Sequence, residues 1–277
     1  MKALRIQFLV CPQRDFIGTR DELEPALLKE YEWAASDNFY RARNTTLRWE
    51  KPGDVVVPRN TQGVAVADEP IRDFWSLVKE KRKLHIGPEM VKRLRHDGGA
   101  DDPFVRTVKR LYSGDTPVGD HLKVVIDEDW HPRSCGEFPI FGVHCVKGSE
   151  GAMLAGELQE YRWDNRTHVL RANSVNPAAN PADYKALLEE VLAGEKPEYV
   201  KAGVMGVYTH IKVEYLAVAL STMWPWLKPD QIGICAPLCS SQTLDDHEVG
   251  LRKMQVLGFR VFKELDPYLE WLGAEIN

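Results

Sequence analysis

The alternation of short apolar runs with longer helical patterns constrains the fold of this chain most. The runs are mostly apolar along their whole length, as buried parallel strands are, and they lie at residues 4–10, 122–126, 167–171, 198–205, 231–236 and 259–263. Helical periodicity separates or follows the later runs, at residues 182–193, 210–223, 243–257 and 267–272. Strands that alternate with helices form a parallel sheet covered on both faces. The sequence therefore predicts a three-layer α/β/α fold around a mostly parallel six-stranded sheet.

One long segment interrupts this alternation. Residues 17–121 separate the first run from the second, and a simple crossover between parallel strands needs far fewer residues. The patterns in this segment predict helices near residues 21–35, 70–83, 88–95 and 103–112, and an extended piece at residues 54–58. We treat residues 1–277 as a single domain. The segment 17–121 is predicted to be an insertion that caps the functional site, forms an oligomer interface, or does both.

Composition narrows the possible partners and the compartment. The 277 residues carry a formal net charge of −5, without a long run of one sign, which argues against nucleic acid as the main partner. No segment approaches the ~20 apolar residues that span a bilayer. Five cysteines, an odd number without the spacing of a disulfide framework, indicate a reducing cytoplasm. We expect a small-molecule partner, no nucleic acid, no membrane, and a homo-oligomer in the cytoplasm.

Three potential metal ligands follow the second apolar run. Asp129 and His131 come just after Leu122–Ile126, and His144 arrives thirteen residues later. Carboxylate oxygen and imidazole nitrogen suit a divalent metal, with zinc first and iron or manganese as alternatives, and three protein ligands leave room for water or substrate. In open α/β sheets, sites form at the carboxyl ends of strands. The alternative is that Asp129 and His131 only form hydrogen bonds within their own loop.

The same residues carry a family resemblance. Asp-Trp-His-Pro at residues 129–132 and the run from His144 to Ala152 resemble the metal-binding motifs of the isochorismatase-like hydrolases, and within them the nicotinamidases. Residues 10–16 resemble the family's first-strand motif, and residues 202–213 resemble the segment that carries its nucleophile. The four pieces occur in the family's order and cover the first strand and residues 122–277. The resemblance implies the isochorismatase-like fold and a metal bound by Asp129, His131 and His144. The insertion at residues 17–121 is longer than the family usually shows.

The positions that perform the chemistry in that family are occupied by other residue types. Cys11 stands where the family has an aspartate base, Lys212 where it has the cysteine nucleophile, and Arg171 is the best match to its lysine. The covalent mechanism of the family is therefore not transferred to this chain. The resemblance also implies a cis peptide bond between Val207 and Tyr208, which would aim backbone N–H groups into the pocket.

Several interpretations of these substitutions stay open. Cys11 is either a small buried hydrophobe or a thiolate nucleophile in the position of the family's base, with a pKa that Lys212 lowers. Lys212 is either solvated, a base of lowered pKa, or an anion-binding group that acts with Arg171. Two functions follow. The first is a divergent metal-containing hydrolase of a small amide or a related C–N or C–O bond. The alternative is a non-catalytic protein that binds a small anionic ligand.

Overall fold

A computed structural model of the protein describes 11 separate parts of the chain. These are residues 4–14, 16, 103–113, 122–132, 135, 137, 144–176, 181–192, 200–224, 227–241 and 244–273. The helices predicted at residues 21–35, 70–83 and 88–95, and the extended piece at residues 54–58, lie outside this set.

The described residues form one fully parallel six-stranded sheet. Its strands are β1 (Leu4–Val10), β2 (Leu122–Asp129), β3 (Thr167–Ala172), β4 (Val200–Val207), β5 (Ile232–Ser240) and β6 (Arg260–Phe262). The strand order is β3-β2-β1-β4-β5-β6, and all five neighbouring pairs are parallel. The predicted α/β fold and strand count are confirmed.

Helices cover the sheet, and their buried faces complete the core. They are α1 (Pro103–Tyr112), α2 (Pro181–Leu192), α3 (Glu214–Met223), α4 (Leu244–Val256) and α5 (Leu265–Leu272). Short 3₁₀ helices occupy Gly156–Trp163 and Pro229–Gln231. The helix predicted at residues 103–112 of the insertion is present. It buries Phe104, Val108 and Leu111, which share one helical face. Within the described ranges, no helix has both the length and the apolar character needed to cross a membrane.

Two elements differ from the sequence prediction in ways that shape the site. Strand β2 continues through three acidic residues to Asp129, whereas its apolar run stops at residue 126. The acidic residues are nevertheless buried, because each one contacts a cationic side chain. The helix predicted at residues 210–223 begins with a separate wide turn, the π-helical segment Thr209–Val213, and continues as α3.

The strand order places the carboxyl ends of β1, β2 and β4 side by side. In the sheet, Val10 pairs with Asp127 on one side and with Gly206 on the other. Gly206 has a φ of +130°, and a Cβ on it would lie 2.1 Å from the carbonyl oxygen of Val10, so only glycine fits. The chain order reverses on the two sides of β1, which is where open α/β sheets form their ligand crevice.

Candidate active site and metal centre

Cys11 and Lys212 meet at this reversal point. Cys11 follows β1, and its backbone N–H donates to the carbonyl of Asp127 at 2.8 Å. Lys212 lies in the turn that follows β4, and its Nζ is 3.2 Å from the Sγ of Cys11. The Cys11 thiol donates to Oδ2 of Asp129 at 3.2 Å. A thiol, an ammonium group and a carboxylate are therefore in mutual contact, with at most 2% of each residue exposed.

Lys212 is held by two carboxylates. Its Nζ lies 2.5 Å from Oδ1 of Asp129 and 2.9 Å from Oδ1 of Asp127. Burial lowers the pKa of Lys212, but Asp127 and Asp129 outweigh this effect and hold the pKa well above its ordinary value. The anion beside Lys212 is thus supplied by the protein itself. This finding disfavours both a lysine of lowered pKa and a cationic pocket, because one ammonium group faces two carboxylates.

The two carboxylates differ in their environment. Burial raises the pKa of Asp127, and Lys212 only partly opposes the shift. Burial also raises the pKa of Asp129, but Lys212 and His131 outweigh it and hold that pKa far below its usual range. Among the described residues, neither oxygen of Asp127 makes a hydrogen bond, and Lys212 approaches it as an ion pair. Asp127 is therefore the better proton acceptor and Asp129 the more firmly ionised group.

Burial also has the largest effect on the pKa of the Cys11 thiol. It raises the pKa of Cys11 well above the ordinary value, and Asp129 adds to the increase, whereas Lys212 opposes it. The thiol form is thus favoured in the resting protein. A thiolate at Cys11 needs the ammonium group of Lys212 beside it and an acceptor for its proton.

The predicted metal ligands converge next to this cluster. Nε2 of His131 and Nε2 of His144 lie 3.8 and 3.9 Å from Oδ2 of Asp129, and each residue offers a ligand atom within 4.8 Å of the others. Two ligands that each bind zinc at ~2.1 Å lie up to ~4 Å apart. Oδ1 of Asp129 contacts Lys212, whereas Oδ2, which also accepts the Cys11 thiol, faces the two imidazoles. The donor set and spacing therefore fit one divalent ion.

Cys135 holds the other edge of the His131 ring. Its Sγ lies 3.2 Å from Nδ1 of His131, and both residues are buried. Burial lowers the pKa of His131, but the hydrogen bonds with Asp129 and Cys135 outweigh it and raise the pKa to about 10. A partner on Nδ1 fixes the ring so that Nε2 faces the candidate ligand group.

Gln13 links the site to the first-strand segment. Its side-chain amide donates to the carbonyls of Asp129 and Ala152 at 2.7 and 2.9 Å, and its oxygen accepts the N–H of Asp129 at 2.7 Å. Phe16 then packs edge-on against the rings of His144 and Tyr208, with centroids 5.6 and 5.7 Å apart. The polar clamp orients Asp129, and the aromatic contacts form one apolar wall.

The turn that carries Lys212 is held in place by side-chain contacts with neighbouring elements. The Val207–Tyr208 peptide bond is cis, as the family resemblance implies. Oγ1 of Thr209 lies 2.8 Å from Nδ1 of His247, and Oγ of Ser241 lies 2.9 Å from Nδ1 of His210. These contacts join the turn to α4 and to the end of β5.

Arg171 lies apart from Cys11 and Lys212. In the sheet it pairs with Glu128, and successive residues of a strand point to opposite faces. Its guanidinium lies 3.7 Å from Glu128 and 4.5 Å from the ring centroid of Trp130, with 53% of the side chain exposed. The structure therefore brings together Cys11 and Lys212 of the three triad-equivalent residues, but not Arg171.

Sequence reasoning missed Asp127, Cys135 and Glu137. The two-residue spacing between Asp127 and Asp129 could have predicted Asp127, because residues two apart in a strand point to the same face. A buried lysine also needs a neighbouring negative charge. Cys135 and Glu137 carry no such signal, since their approach to His131 depends on the loop. Cys145, in contrast, directs its Sγ to the carbonyl of Gly151 and lies outside the candidate ligand group.

Known proteins resemble this chain in their fold rather than in their sequence. No protein-family model matches the chain, and no curated protein sequence matches it. Among solved structures, the nicotinamidase PncA from Bacillus subtilis is similar at a TM-score of 0.51 and 15% identity, over 95% of this chain and 100% of that one. The chain has the isochorismatase-like fold. A second example is an isochorismatase-like hydrolase from Alkaliphilus metalliredigens, at a TM-score of 0.50 and 14% identity, over 97% and 98% of the two chains.

Proposed function

We propose that this protein is a divergent hydrolase of a small amide, or of a related C–N or C–O bond, with Cys11 as its nucleophile beside a divalent-metal site. One observation carries the proposal: the Sγ of Cys11 lies 3.2 Å from both Nζ of Lys212 and Oδ2 of Asp129. A nucleophile, a cation that stabilises its thiolate and a carboxylate are the parts of a cysteine hydrolase. Relative to the nicotinamidase motifs, Cys11 occupies the position of the aspartate base, and Lys212 occupies the position of the cysteine nucleophile.

Lys212 can activate Cys11 by relaying a proton. The ammonium group gives one proton to Asp127, which it contacts at 2.9 Å, and takes the proton of the thiol. The result is a thiolate beside an ammonium group and a neutral Asp127, whose pKa burial already raises. Asp129 stays ionised throughout. This route leaves Asp129 available as a metal ligand.

The thiolate then attacks the carbonyl carbon of the amide. The C–N bond breaks, a thioester forms on Cys11, and the departing amine takes the proton held by Asp127 through Lys212. Water adds to the thioester carbonyl, the C–S bond breaks, and the carboxylic acid and the Cys11 thiol are released. Backbone N–H groups of the turn after Val207 are the proposed donors to the oxyanion.

A metal held by Asp129, His131 and His144 would supply Lewis-acid chemistry to the same pocket. Such an ion polarises a carbonyl or lowers the pKa of a bound water. The resting cluster carries more carboxylate than ammonium charge, so it suits a cation. Arg171 has no part in the proposal, because it lies on the other face of the sheet edge.

The fold supports an amide as the substrate class. The Bacillus subtilis neighbour is named for the hydrolysis of nicotinamide, which is a small amide. At 15% identity this likeness concerns the fold alone, so the proposal depends on the contacts of Cys11. The apolar wall formed by Phe16 and Tyr208 suits a small planar group beside the thiol.

Ammonia release from a panel of small primary amides tests the function. We expect turnover by the wild-type protein, loss of turnover with Cys11→Ala, and loss of the metal ion beside Cys11 with Asp129→Asn or His144→Ala. Cys239→Ala is the matched control, because this buried thiol lies in β5, and it should leave turnover unchanged. Full turnover by Cys11→Ala would contradict the assignment of the nucleophile.

The alternative function is non-catalytic binding of a small anion. It predicts that phosphate or a carboxylate binds to the metal-free protein and that Lys212→Met abolishes the binding. The two carboxylates on Lys212 argue against it. Isothermal titration of metal-free protein with inorganic phosphate separates the two functions, and we expect no binding.

A further inference from the structure

We propose a second metal site, formed by His131, Cys135 and Glu137, in which His131 bridges two ions through its two ring nitrogens. Nε2 faces Asp129 and His144, whereas Nδ1 faces Cys135. The inference does not depend on the hydrolase proposal, because its donors lie on the other edge of the imidazole ring. It assigns a metal-binding role to Cys135 and Glu137, which take no part in the proposed hydrolysis.

The donor atoms are close enough to share an ion. His131, Cys135 and Glu137 each offer a ligand atom within 4.8 Å of the other two, and the Sγ of Cys135 is 3.2 Å from Nδ1 of His131. A nitrogen at ~2.0 Å and a thiolate at ~2.3 Å from a tetrahedral zinc ion lie ~3.5 Å apart. The thiol is only 5% exposed, which protects it from other reactions.

Glu137 contributes a buried carboxylate oxygen to this group. Its Oε1 accepts the backbone N–H of Val175 at 2.9 Å, which ties this glutamate to the segment after β3. In the described part of the chain, its buried Oε2 has no hydrogen-bond partner. A buried carboxylate oxygen without a partner destabilises the folded protein, because no hydrogen bond replaces those it made with water. A cation held by the carboxylate of Glu137, the thiolate of Cys135 and the ring of His131, which lie close enough to share an ion, would satisfy it.

The donor chemistry selects the ion. Imidazole nitrogen, thiolate and carboxylate together favour zinc over magnesium or calcium, which prefer oxygen ligands. Binding at both nitrogens removes both ring protons of His131, and binding at Cys135 removes the thiol proton, so occupation of the second site releases protons. A simpler role, in which Cys135 only orients the ring of His131, explains the 3.2 Å contact but leaves Oε2 of Glu137 unexplained.

Metal counting tests the second site. Metal-free protein is saturated with zinc, desalted and analysed, and we expect two ions per chain in the wild type. The double variant Cys135→Ala/Glu137→Gln should retain one ion. The double variant Asp129→Asn/His144→Ala should also retain one, and His131→Ala should lose both. Cys145→Ala, which removes a neighbouring buried thiol that contacts Gly151 instead, should retain two.

Cobalt substitution identifies the thiolate ligand directly. Cobalt bound to a thiolate absorbs in the near ultraviolet through charge transfer, and we expect this band in the wild type and in Asp129→Asn/His144→Ala. It should vanish in Cys135→Ala and persist in Cys145→Ala. A wild type that binds one ion without the band, or a band that survives Cys135→Ala, overturns the second site. Loss of the first ion in Asp129→Asn/His144→Ala with the band retained tests the first site separately.

Discussion

The two faces at the end of β2 both pair buried carboxylates with cationic side chains, but the pairing differs between them. On one face, Glu128 is fully buried. Its two carboxylate oxygens accept hydrogen bonds from the two terminal nitrogens of Arg162, and the bond from Nη2 to Oε2 is 2.8 Å long. On the other face, Asp127 and Asp129 share the single ammonium group of Lys212. The first face satisfies its carboxylate with the two hydrogen bonds of Arg162 and a longer ion pair with Arg171 at 3.7 Å. The second places two carboxylates on one ammonium group, next to a thiol and two imidazoles.

This difference separates a structural ion pair from a reactive cluster. The guanidinium of Arg162 is planar and matches a carboxylate in two parallel hydrogen bonds. An ammonium group between two carboxylates and a thiol can pass protons among them. The face of Glu128 therefore joins β2 to the 3₁₀ helix Gly156–Trp163, whereas the face of Asp127 and Asp129 carries the proposed active site.

Replacing Lys212 should have the largest effect. Lys212→Met leaves two buried carboxylates without their cation, and removing one partner of a buried ion pair costs about 3–5 kcal/mol. Urea denaturation should show this loss in the free energy of unfolding, and amide hydrolysis should disappear. Adding Asp127→Asn to Lys212→Met should recover part of the stability. A loss below about 1 kcal/mol would contradict the placement of Lys212 between the carboxylates.

Asp127→Asn should separate chemistry from metal binding. It removes the proposed proton acceptor, and general-base catalysis contributes about 10²–10⁴-fold, so kcat should fall at least a hundredfold. Metal content should stay unchanged, because Asp129, His131 and His144 remain. Steady-state kinetics with metal analysis on the same sample checks both parts, and unchanged kcat would exclude Asp127 from the proton relay.

Arg162→Met should show the structural nature of the opposite face. Hydrogen bonds to charged groups contribute about 1.5–3 kcal/mol, so we expect a loss of about 2 kcal/mol in unfolding free energy. The turnover of the folded protein and its metal content should match the wild type. A selective loss of turnover at full stability would mean that this face also belongs to the active site.

Arg171→Ala should have the smallest effect. The side chain is half exposed and its ion pair with Glu128 spans 3.7 Å, and exposed pairs contribute about 0–1 kcal/mol. Thermal unfolding should shift little, and turnover should stay within about twofold of the wild type, the range of an effect below about 0.5 kcal/mol. Loss of turnover comparable with that of Lys212→Met would return Arg171 to the catalytic set.

The sequence predicted the sheet well, because buried parallel strands are visible in a sequence as apolar runs. It placed the end of β2 too early, since Asp127 and Glu128 are buried through charge pairing rather than through apolar character. It predicted Asp129, His131 and His144 as metal ligands from spacing and family motifs, and the structure places these three residues close together. It could not assign the direction of Arg171, because that depends on the register between β2 and β3, nor the approach of Cys135 and Glu137 to His131, which depends on a loop.

The most direct test of the active-site account is a search for an acyl group on Cys11. The protein is mixed with an amide that it hydrolyses, quenched in acid within the first turnover and digested, and the peptide that contains Cys11 is examined by mass spectrometry. The account predicts a thioester adduct on Cys11 in the wild type, and none in Lys212→Met or on Cys239. Turnover without any adduct, retained at full rate in Cys11→Ala, would contradict the account.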